Sequence, residues 1–168
     1  MKVLGYYLIS GFLIKGGKVL AYSLAFNKEI LTRHLNKINE FHGLNAKIVF
    51  DKFLDKYFEG KINETLESGK KALDINTEIY RYYEVYEELL EIPFGETITY
   101  SELYKRVGGY SIFEVINALK HNPFIIFIPC HRVIRKDGGI GGYTPLGKEF
   151  KEKILRFERM MRDQRYER

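Results

Sequence analysis

The sequence has one cysteine, Cys130, no tryptophan, a single glutamine, Gln164, and four prolines in 168 residues. One thiol excludes an internal disulfide and a cysteine-rich zinc site, and no structural metal is expected. No stretch approaches the roughly 18 uninterrupted apolar residues of a membrane span. The N-terminus lacks the small-residue cleavage pattern of a signal peptide. A cytoplasmic location without a membrane partner is therefore expected. The scarcity of glutamine beside abundant Lys, Glu, Ile and Tyr is a composition found in proteins of high-temperature organisms, where thermolabile amides are depleted.

What is present excludes a disordered chain: 45% of residues are hydrophobic and 15% aromatic, enough for one good core or two small ones. The formal net charge of +5 is unevenly distributed. Residues 1–75 carry 12 basic and 8 acidic groups, residues 76–97 carry 1 and 6, and residues 98–168 carry 14 and 8. A basic last segment is what a phosphate backbone needs, and it equally serves solubility.

Two β-branched and aromatic segments, Val3 to Ser10 and Phe12 to Phe26, surround Gly16-Gly17, a two-residue hairpin turn needing positive φ. Apolar residues at Ile30, Leu31, Leu35, Ile38 and Phe41 predict a helix, and Lys47 to Phe50 a short strand. A second helix is expected from Asp51 to Glu59, ended by Gly60, with a polar linker over Lys61 to Thr77. The fold class is α+β: an N-terminal sheet-plus-helix domain, 1–75, and a mostly helical C-terminal domain, 76–168. No recognisable chemistry falls in the first of these.

The second part opens with an expected helix from Ile79 to Glu91, stopped by Pro93 and Gly95. Thr99-Tyr100-Ser101-Glu102 and Ser111-Ile112-Phe113-Glu114 both have the capping-box form, each worth about 1 kcal/mol of helix stability. They predict helices to Val107 and from Ile112 to His121 across Gly108-Gly109, a helix-turn-helix or an ordinary helical hairpin. A last helix is expected from Leu146 to Arg162, with Glu158 at the edge of its apolar face, where a carboxylate must find a partner. The glycine-rich loop from Lys136 to Thr144 lacks the ending of a phosphate-binding loop, and its glycines serve tight turns and close backbone approach.

Chemistry concentrates at Cys130. The apolar run Ile125 to Ile128 and Pro129 deliver it to the rim of a core. His131 and Arg132 follow, and cations beside a thiol favour the nucleophilic thiolate. The other histidines, His34, His42 and His121, have no such context and are expected at the surface or in caps.

Pro129-Cys130-His131-Arg132-Val133, preceded by Asn122-Pro123, resembles the active-site signature of the O6-alkylguanine-DNA alkyltransferases, with Tyr100 upstream and Glu158 downstream in the same pattern. The resemblance covers residues 79 to 160 strongly and the first 75 loosely. It implies an RNase H-like N-terminal domain and a helix-turn-helix that enters the minor groove of duplex DNA. It further implies stoichiometric transfer of an alkyl group from O6-alkylguanine, and from O4-alkylthymine, to Cys130 by a monomer that needs no cofactor.

By that resemblance Glu158 orients His131, His131 draws the proton from Cys130 directly or through one water, Asn122 braces the helices against the cysteine segment, and Tyr100 donates to the base. Tyr143 and Thr144 wall the base pocket, with Pro129 and Arg132 beside it. Ser111, Phe113, Tyr100, Lys120 and Arg135 face DNA. The chain departs from the pattern at Phe113, nine residues before Asn122, where the family usually has an intercalating arginine; Phe113 is either an apolar wedge between base steps or a core residue. From the residues alone Glu158 equally fits a buried structural salt bridge. A non-catalytic DNA-damage binding module and a cysteine hydrolase or peroxidase on a small substrate are the rival functions, and turnover separates them.

Overall fold

The computed structural model describes residues 1–168. Two short strands, β1 (Lys2–Val3) and β2 (Tyr6–Tyr7), pair before the main hairpin of β3 (Ile9–Lys15) and β4 (Lys18–Ala25). Gly16 and Gly17 turn that hairpin with φ of 57° and 73°, the two positive values that match the twist of the flanking strands. β5 (Lys47–Val49) pairs antiparallel with the other side of β3, giving the order β4-β3-β5. Helix α1 (Lys28–His42), capped by the Asn27 side chain, buries Leu31, Leu35 and Ile38 on this sheet. Gly11 permits the close packing, because a Cβ there would lie 2.7 Å from Cδ1 of Leu35.

Helix α2 overturns the expected end at Gly60 and the linker that was to follow. It runs Lys52–Ser68 and ends at Gly69 in the left-handed conformation. A glycine inside a helix costs about 1 kcal/mol, but Ile62, Thr65 and Leu66 beyond it are buried on the face of Phe58, and that burial outweighs the local cost. The helix expected from Ile79 is also shorter. A single 3-10 turn covers Thr77–Ile79, Tyr82 takes φ 56°, and α3 spans Tyr83–Leu90. The Tyr80 hydroxyl donates to the Leu20 carbonyl, holding this stretch against β4 instead of in a helix.

β6 (Ile98–Thr99) leads into α4 (Tyr100–Val107), and after Gly108-Gly109 comes α5 (Ile112–Lys120). Both expected capping boxes form, Thr99 with Glu102 and Ser111 with Glu114. β7 (Val133–Ile134) pairs parallel with β6, and α6 (Lys148–Tyr166) closes the chain. The fold is mixed α/β with small sheets.

One buried cluster joins both halves. Tyr22 of β4 is central to it, packing on Phe12, Phe58, Phe124 and Phe127. Its N–H donates to the Pro123 carbonyl at 2.9 Å and its hydroxyl to that of Ile125. The N-terminal sheet thereby holds the segment that leads to Cys130.

His34 and His42 correct the expectation that they lie at the surface or in caps, since both are buried. His34 Nδ1 meets the Ser23 hydroxyl at 2.7 Å and its Nε2 the Lys120 carbonyl at 3.0 Å. His42 Nε2 meets the His121 carbonyl at 2.8 Å, and its Nδ1 accepts from the Arg81 N–H at 3.0 Å. They satisfy carbonyls at the end of α5 that no helical bond reaches, and so tie α1 to α5. His121 is indeed a cap, at the C-terminus of α5.

Candidate active site

Cys130 opens a one-turn 3-10 helix, Cys130–Arg132, directly after Pro129, and only 7% of its surface is exposed. Asn122 fixes its surroundings. The side-chain amide of Asn122 donates to Cys130 Sγ at 3.1 Å and to the Ile128 carbonyl at 2.8 Å, and its Oδ1 accepts from the Phe124 N–H at 3.0 Å. A single buried residue after α5 thus organises the whole turn around the thiol.

Behind the thiol is a buried charge network. Glu158 Oε1 meets His131 Nε2 at 2.7 Å and accepts from an Arg132 terminal nitrogen at 2.9 Å. Glu158 Oε2 accepts from Arg132 Nε at 2.9 Å and from the Gly95 N–H at 3.3 Å, and Arg132 also donates to the Ile92 carbonyl at 2.7 Å. Burial would raise the Glu158 carboxyl, but His131 and Arg132 hold it down at about 2. Burial pushes the His131 imidazole down, against the pull of Glu158. This geometry assigns a charged carboxylate and a neutral imidazole that donates from Nε2. His131 Nδ1 has no hydrogen-bond partner, so its lone pair is free. An imidazole with a carboxylate at one nitrogen and a free lone pair at the other has the chemistry a general base needs.

The expectation that His131 and Arg132 act as cations beside the thiol is corrected. Arg132 is engaged by Glu158 and Ile92, and His131 is held neutral. The cation that acts on the thiol is Lys151 of α6, buried, with Nζ donating to the carbonyls of Val133 at 2.7 Å and Gly142 at 3.2 Å. Burial raises the Cys130 pKa, while the Asn122 hydrogen bond and Lys151 lower it. Burial also brings Lys151 down to about 8. Sequence reasoning missed Lys151, although a signal existed: it stands three and four residues before Ile154 and Leu155, inside the apolar face of α6.

Over the thiol is a pocket of about 120 Å³, lined by Tyr100, Ile116, Leu119, Lys120, Gly142, Tyr143 and Thr144. Tyr143 stacks on Phe150 and presents an edge to His131. The hydroxyl of Tyr100 lies 2.8 Å from where a Cβ on Gly141 would stand, so the glycine loop can close on it. Pro129 and Arg132 do not line this pocket; they border a separate cavity of about 300 Å³ with residues 69–75. Arg132 is turned there by its bonds to Glu158, which corrects its expected place beside the base.

Phe113 is 75% exposed on the first turn of α5 and is not a core residue. Ser111 is the cap of that helix, accepting from the Glu114 N–H, and the Glu114 carboxylate accepts from the Ser111 N–H at 2.7 Å. Lys120 ends the helix at the pocket rim. Arg135 is exposed and paired with Asp137 at 2.9 Å.

Residues 81–160 match the family model described as 6-O-methylguanine DNA methyltransferase, DNA binding domain. A methylated-DNA–protein-cysteine methyltransferase of Metallosphaera sedula is 38% identical over 120 residues, covering 71% of this chain and 69% of that protein. The O6-methylguanine-DNA methyltransferase structure from the hyperthermophilic archaeon Pyrococcus kodakaraensis aligns with a TM-score of 0.67 at 29% identity, covering 89% of this chain and 90% of that one. The Mycobacterium tuberculosis OGT in complex with DNA aligns with a TM-score of 0.52 at 30% identity, covering 62% and 66%. The chain belongs to the methylated-DNA–protein-cysteine methyltransferase family.

Proposed function

We propose that this chain repairs O6-alkylguanine, and O4-alkylthymine, in duplex DNA by moving the alkyl group once onto Cys130. The observation that carries the reading is the Sγ at the floor of a small aromatic pocket with the His131–Glu158 pair behind it. In this reading α4 and α5 are a helix-turn-helix, α5 enters the minor groove, and exposed Phe113 wedges between base steps in the place of the arginine that the family resemblance implies. The Glu114 carboxylate is occupied by the helix cap, where it accepts from the Ser111 N–H. Ser111, Lys120 and Arg135 border the duplex. The damaged base rotates into the pocket, at a cost of a few kcal/mol that is least for a weakened pair.

His131 Nδ1 takes the Cys130 proton through one bridging water, since no hydrogen bond joins the imidazole to Sγ directly, and the Glu158 carboxylate stabilises the imidazolium. The sulfur lone pair forms the S–C bond as the bond from carbon to O6 breaks, and its electron pair leaves on the base. Burial and the thiolate keep the Tyr100 hydroxyl protonated, so it donates a hydrogen bond to the departing base, which finally takes the proton that left the thiol. Asn122 keeps the cysteine turn against α5, and Lys151 supports the thiolate. The thioether is not cleaved by water, and the chain has no second thiol to displace it, so each molecule acts once.

Domain 76–168 carries this chemistry, and domain 1–75, a reduced RNase H-like sheet and helix, braces it. The protein works as a monomer in the cytoplasm, with DNA as partner and no cofactor. The test is intact mass after incubation with excess O6-methylguanine duplex. One added methyl per chain, mapped to Cys130 and absent from Cys130→Ala, is expected. Repeated turnover without adduct would point instead to a hydrolase, and binding without adduct to a damage-recognition module.

A further inference from the structure

Beside the Cys130 pocket, between α1 and the end of α5, lies a groove of about 450 Å³. Its rim includes Arg33, Lys37, Lys120, His121, Thr144 and Pro145, and no carboxylate lines it. It shares Lys120 and Thr144 with the pocket over the thiol, so the two depressions adjoin at those residues. Along α1 it runs into a second open depression through Arg33, where Lys28, Thr32 and Asn36 add a cation and two hydrogen-bonding groups. The only acid there is Glu29, which pairs with Arg33 at 2.7 Å while both side chains stay largely exposed. Lys37 and Lys120 form no ion pair. Arg33 and Lys37 are one helical turn apart, so both project to one side of α1.

The groove has a rigid floor. His34, between Arg33 and Lys37 in sequence, is buried and bonded to the Lys120 carbonyl, so the two walls hold a fixed spacing. Lys37 and the buried His34 line the groove together.

A row of cations with interspersed hydroxyl and amide groups and almost no acids fits a polyanionic backbone. Its place beside the thiol pocket selects which one. Lys120 and Thr144 stand on the rim of that pocket, and from them a row of cations continues along α1 through Lys37, Arg33 and Lys28. We infer that this groove binds the backbone phosphates of the strand that carries the rotated nucleotide, which makes α1 of the N-terminal half part of the DNA interface. The inference rests on the alkyl-transfer reading above.

The test is the double variant Arg33→Ala/Lys37→Ala, with Lys37→Glu as a second; both sites are exposed and folding is not at issue. Duplex Kd is measured across a salt series, and methyl transfer is measured from both the duplex and free O6-methylguanine base. The double variant is expected to bind lesioned and intact duplex about tenfold more weakly, with the slope of log Kd against log salt reduced by about 1 to 2. Transfer from the free base, which has no phosphates, stays at the wild-type rate. Lys37→Glu weakens duplex binding further. Unchanged duplex Kd and salt slope, with wild-type transfer intact, overturn the groove and leave the transfer reading standing. Wild-type protein that transfers nothing from duplex overturns the reading and the groove with it.

Discussion

Two kinds of buried histidine stand side by side in this molecule. His34 and His42 tie α1 to α5 with both ring nitrogens taken, His34 by Ser23 and Lys120 and His42 by Arg81 and His121. His131 has one nitrogen on a charged carboxylate and the other free. Burial pushes all three imidazoles down, His34 and His42 to about 4. Burial therefore does not distinguish a working histidine from a structural one. The difference lies in a vacant lone pair at Nδ1 and a carboxylate at Nε2 able to stabilise an imidazolium.

The largest test of that contrast is Glu158→Gln. It leaves the buried Arg132 guanidinium without its counter-charge, and removing one partner of such a pair costs about 3–5 kcal/mol. A large fall in the unfolding midpoint is expected by denaturant titration. A variant as stable as wild type would mean that Glu158 does not hold the site together.

A second effect, spread over two residues, separates the two sets by pH. His34 and His42 are held at about 4, so on acidification the unfolded chain takes up protons first. The stability due to their neutral forms is complete above the ordinary histidine pKa of about 6.5 and is lost as pH falls to about 4, up to roughly 3 kcal/mol each. Glu158, held at about 2, gives stability that is complete above about 4.5 and lost progressively as pH falls from there through about 2. Acid titration of wild type should show a first loss between pH 6.5 and 4 that is much smaller when His34 and His42 are both replaced by glutamine, leaving the part due to His131. A first loss unchanged in that variant would break the comparison.

The elements with local signals were legible in the sequence. Thr99 with Glu102 and Ser111 with Glu114 marked the starts of α4 and α5, and Gly16-Gly17 marked the hairpin, since caps and positive-φ turns are properties of a few adjacent residues. The cysteine turn was legible through its motif. What was illegible depends on partners far along the chain. α2 continues past Gly60 because Ile62 and Leu66 find a core. His34 and His42 are buried by carbonyls at the end of α5, some 80 residues away. Arg132 turns away from the thiol because Glu158 claims it, and Lys151 replaces it as the cation that favours the thiolate.

The most direct measurement is the pH dependence of single-turnover methyl transfer from free O6-methylguanine base, in wild type and in His131→Gln. With the imidazole as base, wild type transfers readily near neutral pH although burial raises the thiol pKa. The variant should be slower by about 10² to 10⁴ at pH 7 and recover as pH rises toward the ionisation of Cys130. Equal rates and equal profiles in the two proteins would contradict the assignment of His131 as the group that takes the proton.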